Sequence, residues 1–172
     1  WAAFLADPAA GPVAAEPVGD LVRARLRKRH PRVLRDGRAI TAATPPAALH
    51  ALRIECKKLR YLLEFAASLY PPGEVDALIK HLKGLQDNLG EFNDLSVQHE
   101  RLRASLDAIT SRGRRAREEA AAIGGLITAL DARQAQVREE FAAAFARFTA
   151  ARVRRRFARI TGPQGTPPEE TA

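Results

Sequence analysis

Three features of the 172-residue sequence predict an all-α fold: apolar residues recurring at three- and four-residue steps, Pro and Gly breaks between those segments, and no alternation of apolar with polar residues. Four main helices joined by short breaks make an antiparallel four-helix bundle the expected architecture. A hydrophobic content of 46% suits one domain with a sizeable core. No apolar run approaches the roughly 20 residues that span a bilayer, and no basic segment followed by an apolar one marks export.

Residues 1–19 hold Trp1, Phe4 and Leu5 among Ala, Pro and Gly, the pattern of a preceding element's end followed by a linker. The chain has no methionine and begins at Trp1, so a longer parent protein is expected. The bundle is expected over residues 20–160. Asp20 is placed to cap a first helix from Leu21 to about Ile40, with Arg25, Lys28, Arg29, Arg32 and Arg35 on one face and Leu26, His30, Val33 and Leu34 on the other. Pro31 should kink or break this helix, and Gly37 should help to end it.

Thr44-Pro45-Pro46 reads as the next helix start, Thr44 being the cap. The stretch LHALRIECKKLRYLLEF, Leu49 to Phe65, follows. His50, Arg53, Lys57, Arg60 and Glu64 fall on one face at the spacing usual for an apolar seam, while Leu52, Leu59, Leu62, Leu63 and Ala66 gather opposite. After Pro71-Pro72-Gly73, a third helix from Glu74 to about Ile109 buries Leu78, Leu82, Leu85 and Leu89, with Phe92 at the edge. Its other face repeats the seam in mixed sign as Lys80, Lys83, Asp87, Gly90 and Asp94. Beyond Ser111-Arg112-Gly113, an Ala-rich helix to about Thr149 carries the stripe Ile123, Ile127, Leu130, Val137, Phe141 and Phe148, weakened at Gly124-Gly125. Ala151 to Ile160 is a short basic helical segment, and residues 161–172 read as a disordered tail.

A formal charge of +8 calls for a polyanionic partner: nucleic acid, anionic membrane or polyphosphate. The single Cys56 excludes an internal disulfide and a thiol metal cluster, and fits a reducing cytosol. Taken singly, each Arg or Lys reads as a solvated helix charge. Basic positions matched across three successive helices read as a shared patch. The seam from His50 to Glu64 spans about 21 Å, enough to follow several phosphates with charge-assisted hydrogen bonds. Tyr61 borders it as a core-edge residue with its hydroxyl tied to a neighbour, Glu64 either holds Arg60 or Arg53 or stays an exposed charge, and Asp87 and Asp94 are placed to neutralise or orient neighbouring cations.

Two other functions compete. Nucleic-acid binding fits the charge, but Tyr61 alone lies near the patch as a stacking surface. A phosphohydrolase using His50 with Glu64 lacks an H-E-x-x-H helix, a glycine-rich phosphate loop and clustered carboxylates for Mg²⁺ beyond the separated Asp87 and Asp94.

The pattern H-x-x-R-x-x-x-K-x-L-R-Y-x-x-E, met as His50, Arg53, Lys57, Leu59, Arg60, Tyr61 and Glu64, resembles the signature of the CHAD family, the conserved histidine α-helical domain. The later stretch LKGLQDNLGEFNDL resembles the family's following helix through Lys83, Leu85, Gln86, Leu89, Gly90 and Asp94. The resemblance covers about residues 20–160 and implies a non-catalytic helical protein, without cofactor or metal, whose basic surface binds inorganic polyphosphate. It implies contacts from His50, Arg53, Lys57, Arg60, Lys80 and Lys83; Arg25, Lys28, Arg29 and Arg32 match the family's basic first helix in character alone. A complete member has two similar four-helix halves around a cationic channel, often beside a CYTH domain. This chain resembles the carboxyl-terminal half, so the other half or a CYTH domain in the same polypeptide is an expected partner, and the cytoplasm, with polyphosphate granules, the expected location.

Overall fold

The computed structural model describes residues 17–162. The linker expected before Pro17 and the tail expected from residue 163 lie outside the described residues. Among the described residues five α-helices follow one another: α1 (Val18–Arg38), α2 (Pro46–Ala66, continued by a 3₁₀ turn at Ala67–Leu69), α3 (Glu74–Asp107), α4 (Arg114–Phe148) and α5 (Ala151–Thr161). No strand occurs among the described residues, and no helix among them is long and apolar enough to cross a membrane. The four long helices match the expected bundle, with the short basic α5 laid against it.

Cross-helix contacts show the antiparallel order. Between α2 and α3, the His50 ring bonds Asn93 at 2.5 Å, and a side chain at Gly90 would reach Arg53. Between α3 and α4, Asn88 donates to the Val137 carbonyl, Arg133 to Glu91, and Gln134 to Ser96. Between α1 and α5, Arg27 donates to the Thr161 carbonyl and the His30 ring stacks on Phe157 with centroids 3.7 Å apart. Across each pair, contacts early on one helix meet residues late on the other, which for the consecutive helices is what short links require.

The core is one continuous cluster built from Val22, Leu26 and Val33 of α1, the Leu49, Leu52, Leu59 and Leu63 stripe of α2, Leu78 to Leu89 of α3, Val137 to Phe148 of α4 and Phe157 of α5. Phe92, expected at an edge, is fully buried. The Arg138 guanidinium lies 5.0 Å from its ring centre and donates to the carbonyls of Thr41, Ala42 and Thr44, so one α4 side chain pins the α1–α2 loop.

Several sequence expectations change. Pro31 does not break α1, which runs through it as one helix. Proline withdraws one donor from the ladder, and the fully buried Leu26 and Val33 hold the turns on either side. Gly37 lies in the last turn of α1, which ends at Arg38, and it is also buried there, where a Cβ would lie 2.1 Å from Phe145 Cε2. It is the point of close approach between α1 and α4. Asp20 lies in the first turn of α1 and pairs with Arg23, while Pro17 holds the cap position. Thr44 caps nothing; its hydroxyl accepts the Thr41 N–H at 2.8 Å inside the loop, and Pro46 is the first residue of α2.

The expected α4 stripe is buried in its second half alone. Val137, Phe141, Ala144 and Phe148 are enclosed, whereas Ile123, Ile127 and Leu130 are half-buried. At 1.5 Å per residue, α3 and α4 are each about 50 Å long and α2 about 31 Å, so the far end of the α3–α4 pair extends past the other helices. Among the described residues each helix of the pair has one neighbour there instead of several. Gly124 and Gly125 sit in this stretch without interrupting α4.

Candidate functional site

Because α2 lies between α1 and α3, its cations face two grooves. In the α1–α2 groove, Arg25, Lys28, Arg29 and Arg32 stand at i, i+3, i+4 and i+7 on α1 and line a hollow of about 340 Å³. All four belong to the expected set. Across from them lies Glu55 of α2, which the sequence reading passed over. It is the one buried charged side chain among the described residues, 6% exposed. Its Oε1 accepts from the Lys58 ammonium at 3.0 Å and its Oε2 from Arg29 Nη1 at 3.3 Å, while Arg32 Nε lies at ion-pair distance, 3.7 Å from Oε2. Arg32 also lies 3.7 Å from Asp36, which itself pairs with Arg35. Lys58, likewise missed, joins the groove from α2.

The groove continues toward the start of α1 into a more apolar hollow. Arg25, Arg29 and Lys58 line it together with Val18, Leu21, Tyr61, Leu62 and Phe65. Tyr61 is not the core-edge residue expected: it is 53% exposed, and Arg60 covers its ring with the guanidinium carbon 5.1 Å from the centroid. Phe65 is more exposed still, at 68%.

On the other flank, Arg53, Lys57 and Arg60 are half-buried along the α2–α3 seam. The register set by His50 with Asn93 and Arg53 beside Gly90 brings Arg60 level with Lys83 and Lys57 level with Gln86. Arg60 reaches Glu64 at 3.4 Å, and its Nε is buried without a hydrogen-bond partner among the described residues. Glu64 therefore holds Arg60 rather than Arg53. Lys80 and Lys83 are exposed on α3.

Asp87 and Asp94 do not take the orienting role expected of them. Among the described residues neither lies within ion-pair distance of a cation, and Asp94 instead accepts from the neighbouring Asn93 amide. The orienting acid is Glu55, at a position the seam spacing does not mark. His50 lies at the far end of the seam, bonded to Asn93 and lining a hollow of about 360 Å³ with Ser96 and Glu100. It stands apart from the α1 cations.

Two of the groups with displaced proton affinities lie in the core behind the site. Burial, with the charge of Glu55 beside it, pushes the Cys56 thiol up to about 12, so it stays a protonated core residue at neutral pH. Burial against Phe157 and Phe148 brings His30 down to about 4. Both support the back of the site.

Comparison with known proteins fits this arrangement. No curated protein matches the chain. The family model of the CHAD domain matches residues 1–103, a span that begins ahead of the expected 20–160 and ends within α3. It takes in α1, α2 and most of α3, the three helices that carry the cationic seams. With more than half its length matched, the chain belongs to the CHAD-domain family.

Proposed function

We propose that this protein binds inorganic polyphosphate, without catalysis, along the outer face formed by α1, α2 and α3. The observation that carries the reading is the α1–α2 groove, where four cations of one helix face are gathered around a single hollow and backed by a buried carboxylate. Arg53, Lys57 and Arg60 continue the cationic surface toward Lys80 and Lys83. A phosphate chain has closely spaced negative charges and no sequence to read, so rows of guanidinium and ammonium groups at helical spacing suffice to recognise it. Membership of the CHAD family, whose basic surface is associated with polyphosphate, points the same way.

One observation favours nucleic acid as a second reading. Tyr61 and Phe65 are exposed beside Arg25, Arg29 and Lys58, and exposed aromatics next to cations are what single-stranded nucleic acid uses for base stacking. Binding isotherms with long-chain polyphosphate at two salt concentrations, followed by competition with single-stranded RNA at equal phosphate, separate the two. Polyphosphate should bind with a steep loss on added salt and resist displacement. Displacement by RNA at equal phosphate and salt would reverse the order of the readings. As partners we propose the complementary half-domain or a CYTH domain of the same polypeptide, and as location the cytoplasm near polyphosphate granules.

A further inference from the structure

We infer that Glu55 is a positioning residue of the anion site: an acid that strengthens anion binding by holding the cations that make the contacts. This rests on the polyphosphate reading above, and assigns a role to a residue of the wrong charge for it.

A carboxylate in a cationic site ordinarily weakens it by repelling the ligand and cancelling charge. The geometry of Glu55 separates those two effects. The carboxylate is buried on the flank of α2 that faces α1, while the side chains it holds remain accessible: Arg29 is 36%, Lys58 49% and Arg32 54% exposed. The acid thus lies behind its cations and the solvent lies in front. Its two oxygens divide the work, one taking Lys58 from α2 and the other taking Arg29 and Arg32 from α1. Three long side chains from two helices are brought to one place.

A guanidinium has five N–H donors and an ammonium three, so each cation that gives one donor to Glu55 keeps others for a phosphate oxygen. Each of these side chains loses rotamer freedom on binding a ligand unless it is already held, and holding it beforehand moves that cost into folding. Burial limits the opposing effect, since the carboxylate presents little surface to an approaching anion.

The test exploits the sign of the charge. Glu55→Gln keeps the size of the side chain and raises the formal charge of the protein by one. Net charge alone predicts equal or tighter polyphosphate binding; positioning predicts that the Kd rises about tenfold at fixed salt, with helicity by circular dichroism unchanged. Glu55→Asp, which keeps the charge, should recover part of the loss. In an Arg29→Ala/Arg32→Ala background the effect of Glu55→Gln should largely vanish, because most of the groups it positions are gone. Equal or tighter binding by Glu55→Gln, or the same loss in both backgrounds, overturns the inference. Failure of the unaltered protein to bind polyphosphate sinks the functional reading first. The positioning role is then read directly from arginine side-chain NMR. Ordered Arg29 and Arg32 signals that become mobile in Glu55→Gln support it, and equal mobility in both proteins rejects it.

Discussion

The two flanks of α2 carry similar cations and hold them differently. Toward α1, Arg29, Arg32 and Lys58 converge on one buried carboxylate. Toward α3, Arg53, Lys57 and Arg60 lie along a packed seam where the acid within reach is the exposed Glu64, on Arg60. The first flank trades some net charge for order; the second keeps its charge and relies on the packing of its aliphatic stems. The contrast teaches that a cationic helix face read from spacing is a statement about which residues align, and says little about whether they are fixed in place.

The largest effect is expected where charge is least compensated. Arg53→Ala with Lys57→Ala should weaken polyphosphate binding by at least about 100-fold, since two charge-assisted contacts at roughly 1.5–3 kcal/mol each are lost. Helicity and Tm should stay close to those of the unaltered protein, because neither side chain has an ion-pair partner among the described residues. A large fall in Tm instead would make these residues structural and erase the difference between the flanks.

The α1 flank can also be loosened from behind. His30 packs neutral on Phe157, its affinity for protons brought down from 6.5 to about 4 by burial. The unfolded chain therefore binds the extra proton between these values. This contribution to stability is full above about pH 6.5 and is lost as pH falls toward about 4. The expected loss is about 2 kcal/mol at pH 5 relative to pH 7. Amide hydrogen exchange should show α1 opening before the α2–α3 pair as pH is lowered, and His30→Leu should remove the window. Uniform opening of all helices would mean that α1 is not the separable element.

Next in size is the matching substitution on the α1 flank, Arg29→Ala with Arg32→Ala. Binding should weaken about tenfold, less than on the α3 flank, because Glu55 already compensates part of this charge. Stability should fall as well, by about 1–2 kcal/mol, since the buried carboxylate is left with Lys58 alone; the figure is modest because both arginines are partly exposed. Binding isotherms and thermal denaturation of the two double variants, measured side by side, draw the comparison directly.

Much of this architecture is legible in the sequence, for a physical reason. Leucine at helical spacing in α2 and α3 has one low-energy use, so Leu52, Leu59, Leu78 and Leu85 declare both the helix and its buried face. Helix ends marked by Pro46, Gly73 and Gly113 read equally well. What the sequence does not display is anything decided by a partner remote in the chain. Gly37 reads as a terminator and nothing more until Phe145 is found against it. Pro31 reads as a break until the buried turns around it are seen. At the site, Arg25, Lys28, Arg29 and Arg32 announce themselves by density, whereas Glu55 falls off every charged seam and shows its role once α1 is laid beside α2. A signal was present: Glu55 lies among Leu52, Cys56, Leu59 and Leu62, and an acid on an apolar face needs a cation from a neighbour. Asp87 and Asp94, chosen for their alignment with Lys80 and Lys83, have no such need because they are exposed.

The smallest expected effect tests how far the α3 flank is ordered at all. Arg60 is held by Glu64 at 3.4 Å and by the face of Tyr61 at 5.1 Å, both in partly exposed settings. An exposed cation–π contact contributes about 0.5–1 kcal/mol, so Tyr61→Leu should change the polyphosphate Kd by a factor of about two to five. Leucine keeps an apolar side chain in the hollow that Tyr61 lines with Leu62 and Phe65. A loss as large as that expected for Glu55→Gln would show that Arg60 depends on its aromatic neighbour as strongly as Arg29 and Arg32 depend on their acid, and the two flanks would then differ in the chemistry of the holder and not in the degree of order. Competition with RNA sharpens the same substitution: if Tyr61 serves as a stacking surface, its removal weakens RNA more than polyphosphate, and if it serves Arg60 alone, both ligands lose by the same factor.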